Sequence, residues 1–462
     1  MKPHKYPIRS RFLAALVAAS LLVGLGCVEE VDIRTDARAV AEVQNALVVE
    51  ATLTDELRTQ EVILSRPADF ENDSIIKFDE RDPSTGLYGI QDPNIRPILY
   101  VSGASVSVED DNGGNFAFTE GSPGRYFSNQ PFAAQTGREY RLRITLPDGT
   151  EIRSGFERLA GTASLTGLRA ERSTDPLLGT GVRFTVDGDT EPNDPAYLRY
   201  TFEETFKVIA PLWTPEDFLL TFYDPCADPV EYAIEIVART REEQVCYRTE
   251  ASKTIIQATT EGLAGGQIRN LPVHFLPQEE YKIAHRYSIL VRQHVEDLNA
   301  YLYYDRLRNF SQEGNVFAQV QPGDLQGNMQ AENTAGVKVI GYFSVASVSE
   351  RRIFLNYEDL FPGEPEPPYI VSCRVVSSLT SHPSRCPVVP NPDSGGGCPL
   401  SVIELLDLGD LIRYVGIVNE FNGSEFPDIE AVCPGEYLYT SRVCGDCTVL
   451  GSNVPPDFWT ED

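Results

Sequence analysis

The sequence predicts a mainly β protein in three parts. These are an N-terminal sandwich of immunoglobulin or transthyretin type, a second, larger β-sandwich domain with one helix, and a disulfide-rich C-terminal segment. Three observations predict it. Short runs of β-branched and aromatic residues recur roughly every 8–12 residues between Gly, Pro and Asp turns. One stretch alone keeps a helical period. Six of the nine cysteines crowd between Cys373 and Cys447.

The first strands are read at Ala46–Leu53 and Glu61–Ser65. Ala104–Glu109 alternates cleanly, the turn Asp110-Asp111-Asn112-Gly113-Gly114 follows, and Asn115–Thr119 resumes, which is a hairpin pattern. Tyr140–Leu146, the turn Pro147-Asp148-Gly149 and Thr150–Phe156 continue the series, with the Asp- and Pro-rich stretch Phe70–Pro97 read as a surface loop. In the second region Gly181–Val186, Tyr197–Val208, Thr254–Thr259, Tyr287–His294 and Lys338–Val345 are strand candidates. Leu298–Phe310 is the helix: Ala300, Tyr303, Tyr304, Leu307 and Phe310 share one face, and Asp297 or Asn299 is placed to cap it. The expected organisation is 1–26 signal peptide, 27–40 acidic tether, 41–160 first sandwich, 161–365 second β-rich domain, and 366–462 a Cys/Pro/Gly-rich segment packed on the second domain.

The N-terminus carries Lys2, Lys5, Arg9 and Arg11, then an apolar run from Phe12 to Leu25 broken only by Ser20 and Gly24. That run is too short for a bilayer core, which takes about 20 residues, and reads as an exported leader. Gly24-Leu25-Gly26-Cys27 resembles a bacterial lipobox, in which the thiol is acylated and becomes the new N-terminus; Cys27 is therefore the expected lipidation site and the membrane is reached through a lipid anchor. The acidic run Glu29-Glu30-Val31-Asp32 resembles a surface-export signal of Bacteroidota lipoproteins.

The formal net charge is −29, and losing the four leader cations makes it −29 − 4 = −33. Nucleic acid and anionic head groups are recognised by basic patches, so this balance argues against both. Removing Cys27 leaves Cys226, Cys246, Cys373, Cys386, Cys398, Cys433, Cys444 and Cys447. An even number in an exported chain reads as disulfides. Cys226 and Cys246 are expected to pair across the strand-like Val230–Val237, and the connectivity of the other six is left open. The tail Cys444-Gly445-Asp446-Cys447 is read as structural, because a redox C-x-x-C belongs at a helix start in a βαβ setting.

No nucleophile elbow, phosphate-binding Gly loop or H-E-x-x-H pattern is present. Of the histidines, His274, His285, His294 and His382 fall beyond the leader, and none forms a close ligand pair. His285 and His294 are read as ordinary polar residues. Asp187, Asp189, Glu191 and Asn193 place oxygens at alternate positions, the one pattern suited to Ca²⁺. Pro192 stands where a tight calcium loop needs Gly, so a solvated acidic turn is the stronger reading. Phe458 and Trp459 are candidates for partner binding, against the simpler reading that they dock the tail.

Several stretches together resemble one family: Cys246-Tyr247-Arg248-Thr249, Arg286–Gln293, the aromatic helix around Tyr301–Leu307, Gly327-Asn328, Val339-Ile340-Gly341-Tyr342-Phe343-Ser344, and the tail from Cys444 to Trp459. They are similar to the Bacteroidota outer-membrane lipoproteins grouped as domain of unknown function 4249. The resemblance implies a surface lipoprotein encoded beside a TonB-dependent receptor, and carries over no catalytic residue. The expected function is accessory ligand capture for such a receptor, or a lid on it, rather than enzymatic activity. A freestanding adhesin or carbohydrate-binding module is the alternative. A hydrolase ranks third and requires a cleft with convergent carboxylates.

Overall fold

The computed structural model describes residues 46–66, 99–190, 196–263, 265–312, 325, 327–334, 337–382, 400–409, 411–418, 430–431 and 435–461. Cys27, the leader, the acidic tether and the whole Phe70–Pro97 loop lie outside them. Among the described residues the protein is mainly β, and no helix is long and apolar enough to cross a membrane.

Period-2 alternation builds the first core. Val106, Val108, Tyr140, Leu142 and Ile144 are all buried, on strands Ser105–Asp110 and Glu139–Thr145 that pair antiparallel. Ser105–Asp110 also pairs with Asn115–Ser122. The hairpin turn forms because the Asp110 carboxylate accepts the amides of Asn112 (2.9 Å) and Gly114 (2.7 Å), while Gly113 takes φ 86°, a region open to glycine. Leu47, Val49, Ala51 and Leu53 from strand Leu47–Thr54 fill the same core.

The second core lies between two sheets. One contains Ala163–Asp175, Gly179–Thr190 and Gln267–Pro277. The other centres on Tyr197–Ile209, flanked by Arg286–Glu296 on one side and by Val245–Ala251 and Ile256–Thr259 on the other. Val182, Phe184 and Val186 from the first sheet meet Leu198, Tyr200, Tyr287, Ile289 and Val291 from the second.

A single strand belongs to both cores. Val339–Asn356 is 18 residues long. Its first half, to Ala346, runs parallel to Leu47–Thr54, and its second half, from Ser347, runs antiparallel to Arg286–Glu296. Phe343 and Val345 therefore complete the first core from a part of the sequence far beyond it. The alternation in the sequence predicts only Lys338–Val345. The rest was hidden because Ser347-Val348-Ser349-Glu350-Arg351-Arg352 is polar. Its pairing is supported instead by cross-strand charges such as Arg292 with Glu350 at 2.9 Å.

The predicted helix is Leu298–Gln312. Asp297 accepts the Ala300 amide at 2.7 Å, as a capping carboxylate does. Ala300 and Tyr303 are buried and pack with Tyr342. Short helices at Tyr357–Leu360, Val402–Asp407 and Arg442–Gly445 are additional. Each is too brief to show a period; Ser401 and Glu404 start the second with a capping box.

Among the described residues the C-terminal segment is held by two disulfides, Cys246–Cys447 and Cys373–Cys444. This corrects the expected Cys226–Cys246 pair. Cys246 faces the buried second core, whereas Cys226 sits exposed in the link between strands Glu216–Asp224 and Glu231–Ala238. Cys226 is itself disulfide-bonded, and its partner lies outside the described residues, as do Cys386, Cys398 and Cys433. The two halves of C-x-x-C thus cross-link to different parts of the chain, Cys447 to strand Val245–Ala251 and Cys444 to the segment before Val376–Ser377. Between them Asp446, fully buried, accepts from Arg413 at 2.9 Å and from the Thr448 amide at 2.9 Å.

Candidate functional site

A cavity of about 700 Å³ lies along the seam where the two cores meet, beside the Leu298–Gln312 helix. Strand alternation decides what it displays. On Tyr197–Ile209 the even residues Leu198 and Tyr200 enter the second core, so Arg199 and Thr201 face the seam. His294 stands opposite Arg199, and Arg292 opposite Thr201, in the neighbouring strand. Glu50 and Thr52 come from the first core's leading strand, Lys253 from the loop before Ile256–Thr259, and Tyr304 and Leu307 from the helix.

These side chains are held firmly. Arg199 Nε donates to Glu296 Oε1 at 2.6 Å, its Nη2 donates to Thr52 Oγ1 at 3.3 Å, and its guanidinium lies 4.4 Å from the Tyr304 ring centre. Arg292 donates to Glu203 at 2.5 Å and to Glu350 at 2.9 Å. His294 Nε2 lies 3.0 Å from Thr201 Oγ1, while its buried Nδ1 has no hydrogen-bond partner among the described residues. Burial, then the charges of Arg199, Arg292 and Arg58, push His294 well below the usual histidine range, so the ring is neutral.

A second concavity, an open groove of about 830 Å³, lies where Phe156–Thr162 passes Val295–Asn299. Glu157 accepts from Asn328 Nδ2 at 2.7 Å and from Tyr342 Oη at 3.1 Å, and shares a hydrogen bond with Asp297. Burial, then the Asp297 carboxyl, raises Glu157 to about 8. The sequence singled out neither acid as a pair, because they are far apart in the chain. The resemblance stretches Gly327-Asn328 and Gly341–Ser344 were the available signal: they meet here, with Asn328 also bridging the Phe343 amide (2.9 Å) and carbonyl (2.8 Å).

The sequence-predicted residues fall elsewhere. Asp187 is paired with Arg169 at 2.5 Å and accepts the Asn270 amide; Asp189 is paired with Arg269 at 2.7 Å. Glu191 and Asn193 lie outside the described residues. Among the described residues no group of three or more His, Cys, Asp or Glu side chains converges as for a metal. Trp459 packs between Tyr247 and Phe354, with ring centres at 5.0 and 5.8 Å, and Arg352 lies 3.5 Å from the Phe458 ring centre. Glu461 ties the same tail to Lys207 and Tyr247. These contacts match the docking reading of the tail.

Fold and site together define a mainly β protein with two cores sharing one strand, a disulfide-held C-terminal segment and, at the seam, a cavity with fixed polar groups beside apolar walls. The chain belongs to the family described as Domain of unknown function (DUF4249), whose model matches residues 28–352. The match ends before the disulfide-linked tail. None of the curated proteins matches the chain. Among solved structures, the crystal structure of a DUF4785 family protein from Legionella pneumophila is similar at 10% identity and a TM-score of 0.16, covering 54% of this chain and 52% of that one. So slight a likeness, over about half of each chain, transfers neither fold nor function.

Proposed function

We propose that the protein is an exported lipoprotein, acylated at Cys27, held on the outer face of a Bacteroidota outer membrane, where it captures a ligand for a TonB-dependent receptor or covers the receptor's mouth. The observation that carries the ligand-capture reading is the seam cavity. It is a concave site of the size that holds small molecules, with a few fixed polar groups beside apolar walls. The disulfides Cys246–Cys447 and Cys373–Cys444 support an oxidising compartment, and the Gly24–Cys27 pattern supports the anchor. The test is purification from detergent-solubilised outer membranes of the native organism. A receptor β-barrel recovered with the protein supports the reading, and release of a Cys27→Ala variant into the soluble fraction supports the anchor. Recovery of the protein alone, together with tight glycan binding by the soluble chain, favours the freestanding adhesin instead.

One observation favours a second reading, hydrolysis: Glu157 and Asp297 form a carboxyl pair with one raised member in an open groove, an arrangement suited to acid–base work. Screening ester, glycoside and peptide substrates tests it. Turnover that vanishes in Glu157→Gln supports hydrolysis; no turnover with any of the three classes removes it.

A further inference from the structure

We propose that the seam cavity is the binding site for a small organic anion, its acidic group set against Arg199, Arg292 and His294 and its apolar body against Leu307 and Ile340. This names the ligand class for the capture reading and rests on it.

Charge is the first argument. The chain has 68 acidic and 39 basic residues, yet the cavity wall reverses that ratio, with Arg58, Arg199, Lys253 and Arg292 against Glu50 and Glu61. Glu61 is already taken by Arg125 at 2.6 Å. Lysine is scarce, and Lys207 and Lys282 each hold a carboxylate elsewhere. Lys253 stands exposed at the cavity with no carboxylate partner among the described residues. Arg58 is paired with Glu56 at 3.4 Å, and Arg199 and Arg292 with their own carboxylates, so Lys253 is the wall cation left to draw a ligand of opposite charge.

The second argument is His294. The ring is neutral and its Nε2 is engaged by the Thr201 hydroxyl. When that hydroxyl donates, the ring proton sits on Nδ1, the buried atom with no partner. In that tautomer a buried donor is left without an acceptor, at a cost of about 1–3 kcal/mol that an incoming acceptor relieves. The neighbouring guanidiniums of Arg199 and Arg292 make an oxyanion the acceptor of choice. Glu296 on Arg199, and Glu203 and Glu350 on Arg292, fix the two guanidiniums at the cavity wall.

The third argument is the opposite wall. Leu307 and Ile340, with Ile63 and Ile255, line the cavity half-exposed rather than buried. An inorganic ion leaves such surface wet. A molecule with an apolar or aromatic body covers it, at roughly 25 cal/mol for each Å² removed from water.

The test uses the full mature chain carrying Cys27→Ala, which needs no detergent, and isothermal titration calorimetry with two probes of one ring system, naphthalene-2-sulfonate and 2-naphthylmethylammonium. The sulfonate is expected to bind at one site per chain and at least tenfold more tightly than the amine. Lys253→Glu, at an exposed position, is expected to weaken it by about tenfold, the size of one charge-assisted contact. Leu307→Trp, which fills the cavity from the helix, is expected to abolish binding while the unfolding temperature holds. Equal binding of both probes, no binding of either, or sulfonate binding indifferent to both substitutions overturns the proposal. Anion binding without a co-purifying receptor leaves this site standing and removes the receptor role; a receptor without anion binding does the reverse.

Discussion

Glu157, where the chain leaves the first core, shares a hydrogen bond with Asp297, the residue that caps the helix beside the second. The pair lies at the seam, so its proton is part of what joins the two cores. Burial and then Asp297 raise Glu157 from 4.5 to about 8 in the folded protein. Between those values the folded chain holds a proton that the unfolded chain has lost. Stability from this group is therefore full below pH 4.5 and falls as the pH rises toward about 8. Urea unfolding across that range checks it. Glu157→Gln is expected to flatten the decline, and an unchanged slope in the variant would show that the proton sits elsewhere.

Glu204 behaves in the opposite sense. Burial alone would raise its carboxyl, but His274 (3.1 Å) and Lys282 (2.9 Å) donate to it and bring it down to about 2, and Tyr287 Oη donates to it as well at 2.8 Å. Its contribution is present above pH 4.5 and is lost as the pH falls toward about 2. Glu204→Gln removes the charge and leaves Lys282 with Glu250 alone, at a cost of about 3 kcal/mol at neutral pH. Chemical denaturation of the variant at neutral and acid pH measures both effects. The gap between variant and parent should narrow in acid.

The disulfides differ in what they span. Cys246–Cys447 closes a sequence separation of 201 and Cys373–Cys444 one of 71. Restriction of the unfolded chain grows slowly with loop length, so each contributes about 3–5 kcal/mol and the longer one slightly more. Replacing both partners with alanine, one pair at a time, should lower the unfolding midpoint, the Cys246/Cys447 pair by the larger step. The Tyr247–Trp459 contact should loosen with it, read as a change in Trp459 fluorescence.

Gly341 allows the two cores to share a strand. It takes φ 153°, and a Cβ there would lie 2.2 Å from the Val49 carbonyl oxygen. Gly341→Ala must therefore push Leu47–Thr54 away from its parallel partner, costing about 2–4 kcal/mol. Asn328→Leu should cost about 2–3 kcal/mol, because it leaves the Phe343 amide without its acceptor and takes one of the donors from the Glu157 carboxyl. Thermal unfolding of both variants checks the magnitudes. Their effects should be less than additive, since Asn328 is bound to the strand that Gly341 positions.

The sequence by itself determined the strand class and most strand positions. Val106/Val108 and Tyr140/Leu142/Ile144 declare their buried face through a period of two, and Ala300/Tyr303 declare a helix face, because local backbone geometry sets those periods. It also determined the charge balance and the cysteine count. Only the tertiary structure decided which distant segments meet. The parallel pairing of Leu47–Thr54 with Val339–Ala346, the partner of Cys246, and the groups facing His294 all depend on how sheets close over one another. Period and composition carry no information about that closure. The seam cavity is the clearest case: Arg199 and Arg292 look like solvent-facing charges in an alternating strand, and they line a site only because the first core, the shared strand and the helix come to rest against that face.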